Sequence, residues 1–203
     1  MAKTGTGQPV SGRRADAERN IAAILDAGTR LISADPTVSV ADIAKAAGVG
    51  RVTLYGHFPS REALVDAVLD HAVNVADIML ADEFIETAPA PEAMARLLRS
   101  SWEVLDRHRR LFLAADRTLP TERIRQHHDR PLQRVRRLIE RGRRDGDFRA
   151  DLPLSWLVTT FFSILHSAAQ ECEAGRLEPE EAESVLIKTM LSLLTVPAEF
   201  PQP

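Results

Sequence analysis

The stretch from Ser39 to Leu64, SVADIAKAAGVGRVTLYGHFPSREAL, constrains this chain more than any other. Ser39 stands just before an apolar-periodic run and Asp42 follows three residues later. Ser39 can therefore accept from a first-turn N–H while Asp42 reaches back, a capping-box arrangement that predicts a helix from about Val40. Val40, Ile43, Ala44 and Ala47 recur at steps of three and four, a narrow apolar stripe whose alanines let another helix come close. Gly48 ends that helix, because glycine enters the left-handed region without a Cβ clash, and Val49 then points an apolar side chain into the corner. From Arg51 a second helix of about two turns can run to His57: Pro59 disfavours helical geometry at Phe58, and Ser60 offers a fresh N-cap. Leu54 and Phe58 face inward, which leaves Arg51, Val52, Thr53, Tyr55 and His57 on the outer side and near the N-terminal end. Two short helices crossing through a glycine turn, the second presenting Arg, Thr, Tyr and His, describe a DNA-binding helix-turn-helix.

The runs DIAKAAGV, TLY and HFPSREAL resemble the TetR family of bacterial transcriptional regulators, over about twenty-five residues in order and back through the apolar helix that precedes them. The resemblance implies an all-α fold: an N-terminal three-helix domain with the helix-turn-helix, followed by a larger helical ligand-binding and dimerisation domain. It also implies DNA-binding roles for Ser39, Arg51, Val52, Thr53, Tyr55, His57 and Arg61. Ser39, Tyr55, His57 and Arg61 would mostly touch phosphates, and Arg51, Val52 and Thr53 would reach base edges. Tyr55 and His57 could instead pack within the small domain. Three glycines depart from the family's usual pattern. Gly28 stands where alanine is usual, Gly50 where serine often caps the second helix, and Gly56 where a larger residue is common.

At 203 residues, with 44% apolar and 27% charged residues, the chain can bury a real core. The absence of a run of about eighteen apolar residues argues against a membrane span, and MAKTGTGQPVSGRR has no apolar signal core, so a cytoplasmic protein is expected. The single cysteine, Cys172, cannot form an internal disulfide and is read as an inert helix residue. The net charge of −3 divides unevenly. Residues 1–63 hold eight Lys/Arg against six Asp/Glu, and the remaining 140 hold eighteen against twenty-three. The basic part is the motif part, as attraction to phosphates requires.

Along the chain, residues 1–12 read as a disordered arm, with Arg13 and Arg14 able to lie along the minor groove or phosphates or simply to be solvated. Ile21, Ile24, Leu25, Gly28, Leu31 and Ile32 predict a first helix from about Arg14 to Ala34, so the DNA-binding domain covers 1–62 and the second domain 63–203. A long helix should follow Ser60 to about Glu83, with Leu64, Val68, His71 or Ala72, Val75 and Ile78 inward. Further helices are expected at about 91–107, 109–118 and 121–144, the last with a kink or restart at Pro131. Arg130, Arg134, Arg137, Arg141 and Arg144 share the face opposite Leu132, Val135, Leu138 and Ile139, the pattern of a solvated helix surface. Helices at about 153–174 and 179–195 are apolar on more than one side. Two from each subunit could form a four-helix homodimer interface, and a dimer would read a palindromic operator.

No P-loop, GxSxG elbow, HExxH or dinucleotide fingerprint is present, which argues against an enzyme. His108, His127, His128 and His166 lack carboxylate or cysteine partners at ligand spacing, and no metal or cofactor is expected. Met94, Leu98, Trp102, Phe112, His128, Phe161 and His166 are candidates to surround an unknown, mostly apolar small-molecule effector, although each alone reads as core. Three readings follow: a repressor released from DNA by a ligand, a helical dimer that keeps the scaffold without binding DNA, and a small helical enzyme.

Overall fold

The computed structural model describes the backbone of residues 10–195 and the side chains of residues 14–195. Eleven helices fill the described residues: α1 (Val10–Ala34), α2 (Val40–Ala46), α3 (Arg51–His57), α4 (Arg61–Met79), α5 (Glu83–Thr87), α6 (Ala90–Arg107), α7 (Arg109–Thr118), α8 (Thr121–His127), α9 (Asp129–Asp145), α10 (Leu154–Glu173) and α11 (Pro179–Leu194). Helix α1 packs against α2 and α4 to complete the small N-terminal unit, while α6, α9, α10 and α11 pack around the larger core. Helices α1 and α4 also meet α7, so the two cores run into one another along α4.

Local chemistry explains the first turns. Ser39 Oγ accepts from the Asp42 N–H at 3.1 Å and donates to the Asp42 carboxylate at 2.5 Å, so the carboxylate receives the hydroxyl instead of reaching back to the Ser39 backbone. Past the end of α2, Gly48 adopts φ 70°, the Val49 N–H donates to the Ala44 carbonyl and the Gly48 N–H to that of Lys45. This Schellman closure needs a left-handed residue, which is why glycine stands there. Gly28 answers a different demand. A Cβ at that position would lie 2.6 Å from Val68 Cγ2, so the missing methyl lets α1 and α4 approach closely.

Several sequence expectations shift. Helix α1 begins at Val10 instead of about Arg14, so residues 10–12 of the expected arm are helical; residues 1–9, and the side chain of Arg13, lie outside the described residues. Once a helix is nucleated, each further residue adds a hydrogen bond at little cost, and the Arg14–Glu18 pair lies on its exposed face. Helix α4 stops at Met79, not Glu83, because Asp82 caps the separate short helix α5 through the Phe84 N–H at 2.9 Å. Its buried stripe is also rotated: Val65, Leu69, Val73 and Asp77 join Leu64, Val68 and Ala72 inward, leaving Val75 and Ile78 outside. The restart before α9 falls at His128, with Pro131 tolerated in the first turn, where its missing N–H costs nothing.

The arginine face of α9 is not simply solvated. Arg130 and Arg134 each approach the buried Asp77 carboxylate at 3.0 Å. Arg141 donates to the Glu86 carbonyl at 2.6 Å and to that of Ile85 at 2.8 Å, closing the C-terminal end of α5. Cys172 is buried, and burial pushes its thiol pKa up, away from reactivity.

Candidate functional site

The outer face of α3 is built by what lies beneath it. Leu54 is fully buried and Phe58 nearly so, which turns Arg51, Val52, Thr53 and Tyr55 outward; Val52 is 87% exposed and Tyr55 41%. A single exposed valine is ordinary on a protein surface, and its weight here comes from its place beside Arg51 and Thr53 on the same outer face. Among the described residues Arg51 has no side-chain hydrogen bond or ion pair, so its guanidinium is available. His57 is half-buried with its ring 6.4 Å from that of Phe58. Ser39 is exposed at the start of α2.

Arg61 differs from the other six. Its Nη1 donates to the Val38 carbonyl at 2.6 Å and its Nη2 to that of Pro36 at 2.7 Å, so it clasps the loop that leads into α2. The same loop is braced by Asp35, which accepts from the Thr37 N–H at 2.8 Å and hydroxyl at 2.7 Å. Those Thr37 hydrogen bonds hold the Asp35 carboxyl below its ordinary pKa. Gly50 and Gly56 serve no packing need. A Cβ at Gly50 would meet only Thr53 Oγ1 at 3.8 Å, and one at Gly56 would meet nothing within 4 Å.

A second site lies in the larger domain. A cavity of about 90 Å³ is walled by α4, α6, α7, α9 and α10. Of the seven residues expected around an effector, Phe112, His128, Phe161 and His166 line it. Met94, Leu98 and Trp102 do not: they are buried on the side of α6 that meets the general core, and the cavity instead takes Leu97, Ser101, Val104 and Leu105 from that helix. The four expected lining residues are joined by Phe162, Asp77 and Arg134, none of which the sequence singled out for this role. Asp77 was visible as an acid among apolar residues of α4. Its partners, on a helix more than fifty residues away, were not.

The two histidines form one aromatic cluster. Their ring centroids are 5.3 Å apart and nearly perpendicular; Phe162 stands 4.0 Å from His166 and 5.1 Å from His128, and Phe112 lies 6.0 Å from each. His128 Nδ1 is 2.8 Å from the Ile124 carbonyl and His166 Nδ1 is 2.9 Å from that of Phe162. A carbonyl can only accept, so in the neutral rings the proton sits on Nδ1 and each Nε2 carries a lone pair. Burial pushes the pKa of His128 down to about 4, with the neighbouring His166 adding to the effect, and burial likewise lowers that of His166. His166 Nε2 is buried without a hydrogen-bond partner. Asp77 Oδ1 also lacks a well-aligned donor: Arg134 Nη1 is 3.0 Å away but off the hydrogen-bond direction, so that contact is ionic.

Between the two sites stands α4. Its first residue is Arg61, its last two turns contribute Val73, Ala76 and Asp77 to the cavity, and its middle is gripped by α8. Arg123 donates to both Asp66 oxygens at 2.8 Å, while His127 lies 2.8 Å from Asp66 and 3.0 Å from Asp70. The Arg123 guanidinium holds the Asp66 carboxyl below its ordinary pKa, with His127 contributing. His127, which contacts α4, directly precedes His128, which lines the cavity.

A three-helix unit with the outer face of its third helix exposed, joined through α4 to a domain with an apolar cavity, has the geometry of a helix-turn-helix regulator with a helical sensor domain. A family model described as "Bacterial regulatory proteins, tetR family" matches residues 24–68, the stretch from the second half of α1 into α4 that holds the helix-turn-helix. The chain is similar to the HTH-type transcriptional repressor LfrR of Mycolicibacterium smegmatis, at 23% identity over 184 residues covering 89% of this chain and 93% of that one. The HTH-type transcriptional regulator EthR of Mycobacterium tuberculosis is 45% identical over 60 residues, 29% of this chain and 28% of EthR. Among solved structures, LfrR in complex with proflavine superposes with a TM-score of 0.64 at 20% identity, covering 88% of this chain and 98% of that chain. RolR in complex with resorcinol superposes with a TM-score of 0.71 at 23% identity, covering 91% and 92%. These structural likenesses establish the fold.

Proposed function

We propose that this regulator is a repressor that binds a palindromic operator as a homodimer and leaves it when a small, mostly apolar molecule occupies the cavity bordered by α4 and α10. The observation that carries the reading is the outer face of α3, where Arg51, Val52 and Thr53 project from a helix fixed from below and clear of other partners. In the major groove Arg51 would read a guanine edge and Val52 and Thr53 would meet base methyl groups, while Ser39, Tyr55 and His57 would touch phosphates. Arg61 acts one step back, by holding the loop that sets the entry of α2.

The dimer would form through the outward faces of α10 and α11. Leu186 and Met190, on the inner side of α11, are buried in their own chain, so substituting them tests folding instead of assembly. Val185 is 44% exposed and Trp156 58%, and Ile187 and Leu191, on the other flank of α11, are half-buried. Val185→Glu should therefore lower dimerisation without unfolding the chain, and sedimentation at micromolar concentration reads the outcome. Two-fold symmetry would place the α3 helices about 34–36 Å apart, one turn of duplex.

Release follows from the sharing of α4. A ligand that favours a different position of the cavity wall favours a different position of α4, and hence of α3. By reciprocity the operator weakens ligand binding by the factor with which the ligand weakens operator binding. No chemical step is assigned: the relatives reported above are regulators, and the protein would work in the cytoplasm, where its operator lies. A salt-dependent gel shift against the DNA upstream of its own coding sequence tests the reading. Retention of that DNA, weakening steeply with salt, supports it. No retention at any salt favours a scaffold without DNA binding, which the uncapped Gly50 and the bare Gly56 leave open.

A further inference from the structure

We propose that the cavity selects a neutral molecule of about one aromatic ring that carries an O–H or N–H donor, held by the Nε2 atoms of His166 and His128. The proposal rests on the reading of this cavity as the effector site. Each imidazole donates from Nδ1 to a backbone carbonyl within its own helical turn, which fixes the lone pair on Nε2. His166 Nε2 and Asp77 Oδ1 are buried acceptors without an aligned donor, and apart from Ser101, His128 and Arg134 the cavity they border is walled by Phe112, Phe161, Phe162 and aliphatic side chains. A buried acceptor left unsatisfied costs free energy that a ligand donor recovers. The space therefore asks for a flat apolar body with a proton to give.

Charge narrows the choice further. Asp77 is already neutralised by Arg130 and Arg134 at 3.0 Å each, and of the two Arg134 lines the cavity, so a cationic ligand would enter beside its guanidinium and find the carboxylate taken. An anion would face the imidazole lone pairs and could reach Arg134 only by drawing it from Asp77, leaving that buried carboxylate with the exposed Arg130 alone. Size sets the last limit. At about 90 Å³ the cavity is smaller than the engineered void of about 150 Å³ known to admit benzene, so a single ring already requires a slight outward movement of the walls. That movement is what links occupancy to α4.

The test uses the full chain and four probes of one size: phenol, toluene, benzoate and benzylammonium, titrated by calorimetry at neutral pH. Phenol should bind about three- to tenfold more tightly than toluene for each acceptor it satisfies, and both ions should bind more weakly than phenol. His166→Phe and His128→Phe should erase the preference for phenol while toluene still binds. Should either variant fail to fold, the ¹⁵N resonance of His166 Nε2 in the wild-type protein gives the same answer, moving on addition of phenol and staying in place with toluene. Equal binding of phenol and toluene, or a preference that survives both substitutions, overturns the donor-selecting site while leaving the cavity as an effector site. If none of the four binds, the cavity is an ordinary packing gap, and both the effector reading and this proposal fall.

Discussion

The outer face of α3 and the wall of the cavity present functional side chains in opposite ways. On α3 the side chains are exposed, arise from seven consecutive residues, and contribute little to holding the domain together. Leu54 and Phe58 on the inner side do that. In the cavity the same side chains that would recognise a ligand are packed parts of the core, drawn from five helices between Val73 and His166. Function and stability are separable in the first region and entangled in the second. A substitution of Arg51, Val52 or Thr53 should change what the protein binds and leave its unfolding unchanged. One in the cavity should change both.

The largest expected effect is Phe161→Ala. The ring is 4% exposed, and its loss should cost about 3–5 kcal/mol of stability, read by urea unfolding. A cost below about 1 kcal/mol would mean that this wall is not part of the core, and the contrast with α3 would fail. The next is acid. His128 has its pKa lowered from 6.5 to about 4 by burial in the fold, so between those values the unfolded chain binds a proton that the folded chain refuses. Stability is then fully present above about pH 6.5 and declines as pH falls towards about 4, by on the order of 1–3 kcal/mol. His128→Phe should flatten that part of the profile; an equally steep fall in the variant would place the titration elsewhere.

Smaller effects test the α3 side. Arg61→Ala removes two hydrogen bonds to loop carbonyls and should destabilise the N-terminal unit by about 1–3 kcal/mol, measured by amide exchange in α2 and α3. If Arg61 acts chiefly on phosphate, exchange will be unchanged and only the salt dependence of DNA binding will fall. The smallest is Gly56→Ala. With nothing within 4 Å of the new methyl group, it should stabilise α3 by about 0.5–1 kcal/mol. Stabilisation together with lost DNA binding would indicate that the bare glycine admits a close approach of the duplex.

The same contrast explains how much was legible in the sequence. The bounds of α3, the glycine at the end of α2 and the Ser39 and Ser60 caps follow from residues within four positions of one another. Local rules of capping and periodicity suffice there. The cavity depends on rotations that periodicity does not fix. Helix α4 offers two apolar stripes, and only its packing against α1 and α7, with the α9 arginines on Asp77, chooses the one containing Val73 and Asp77. On α6, Leu97 and Leu98 are neighbours of equal hydrophobicity, yet one faces the cavity and the other the general core. The role of Arg61 was hidden because its carbonyl partners lie more than twenty residues away.

The central claim is that α3 reads DNA with side chains the fold does not need. Its most direct test is the affinity of Arg51→Ala for the wild-type operator and for operators altered one base pair at a time, measured by fluorescence anisotropy beside a melting curve of the same sample. The account predicts a loss of about 1–3 kcal/mol on the wild-type operator, relaxed discrimination at one base pair per half-site, and melting unchanged to within about 0.5 kcal/mol. Unchanged affinity and unchanged discrimination at every position would contradict it.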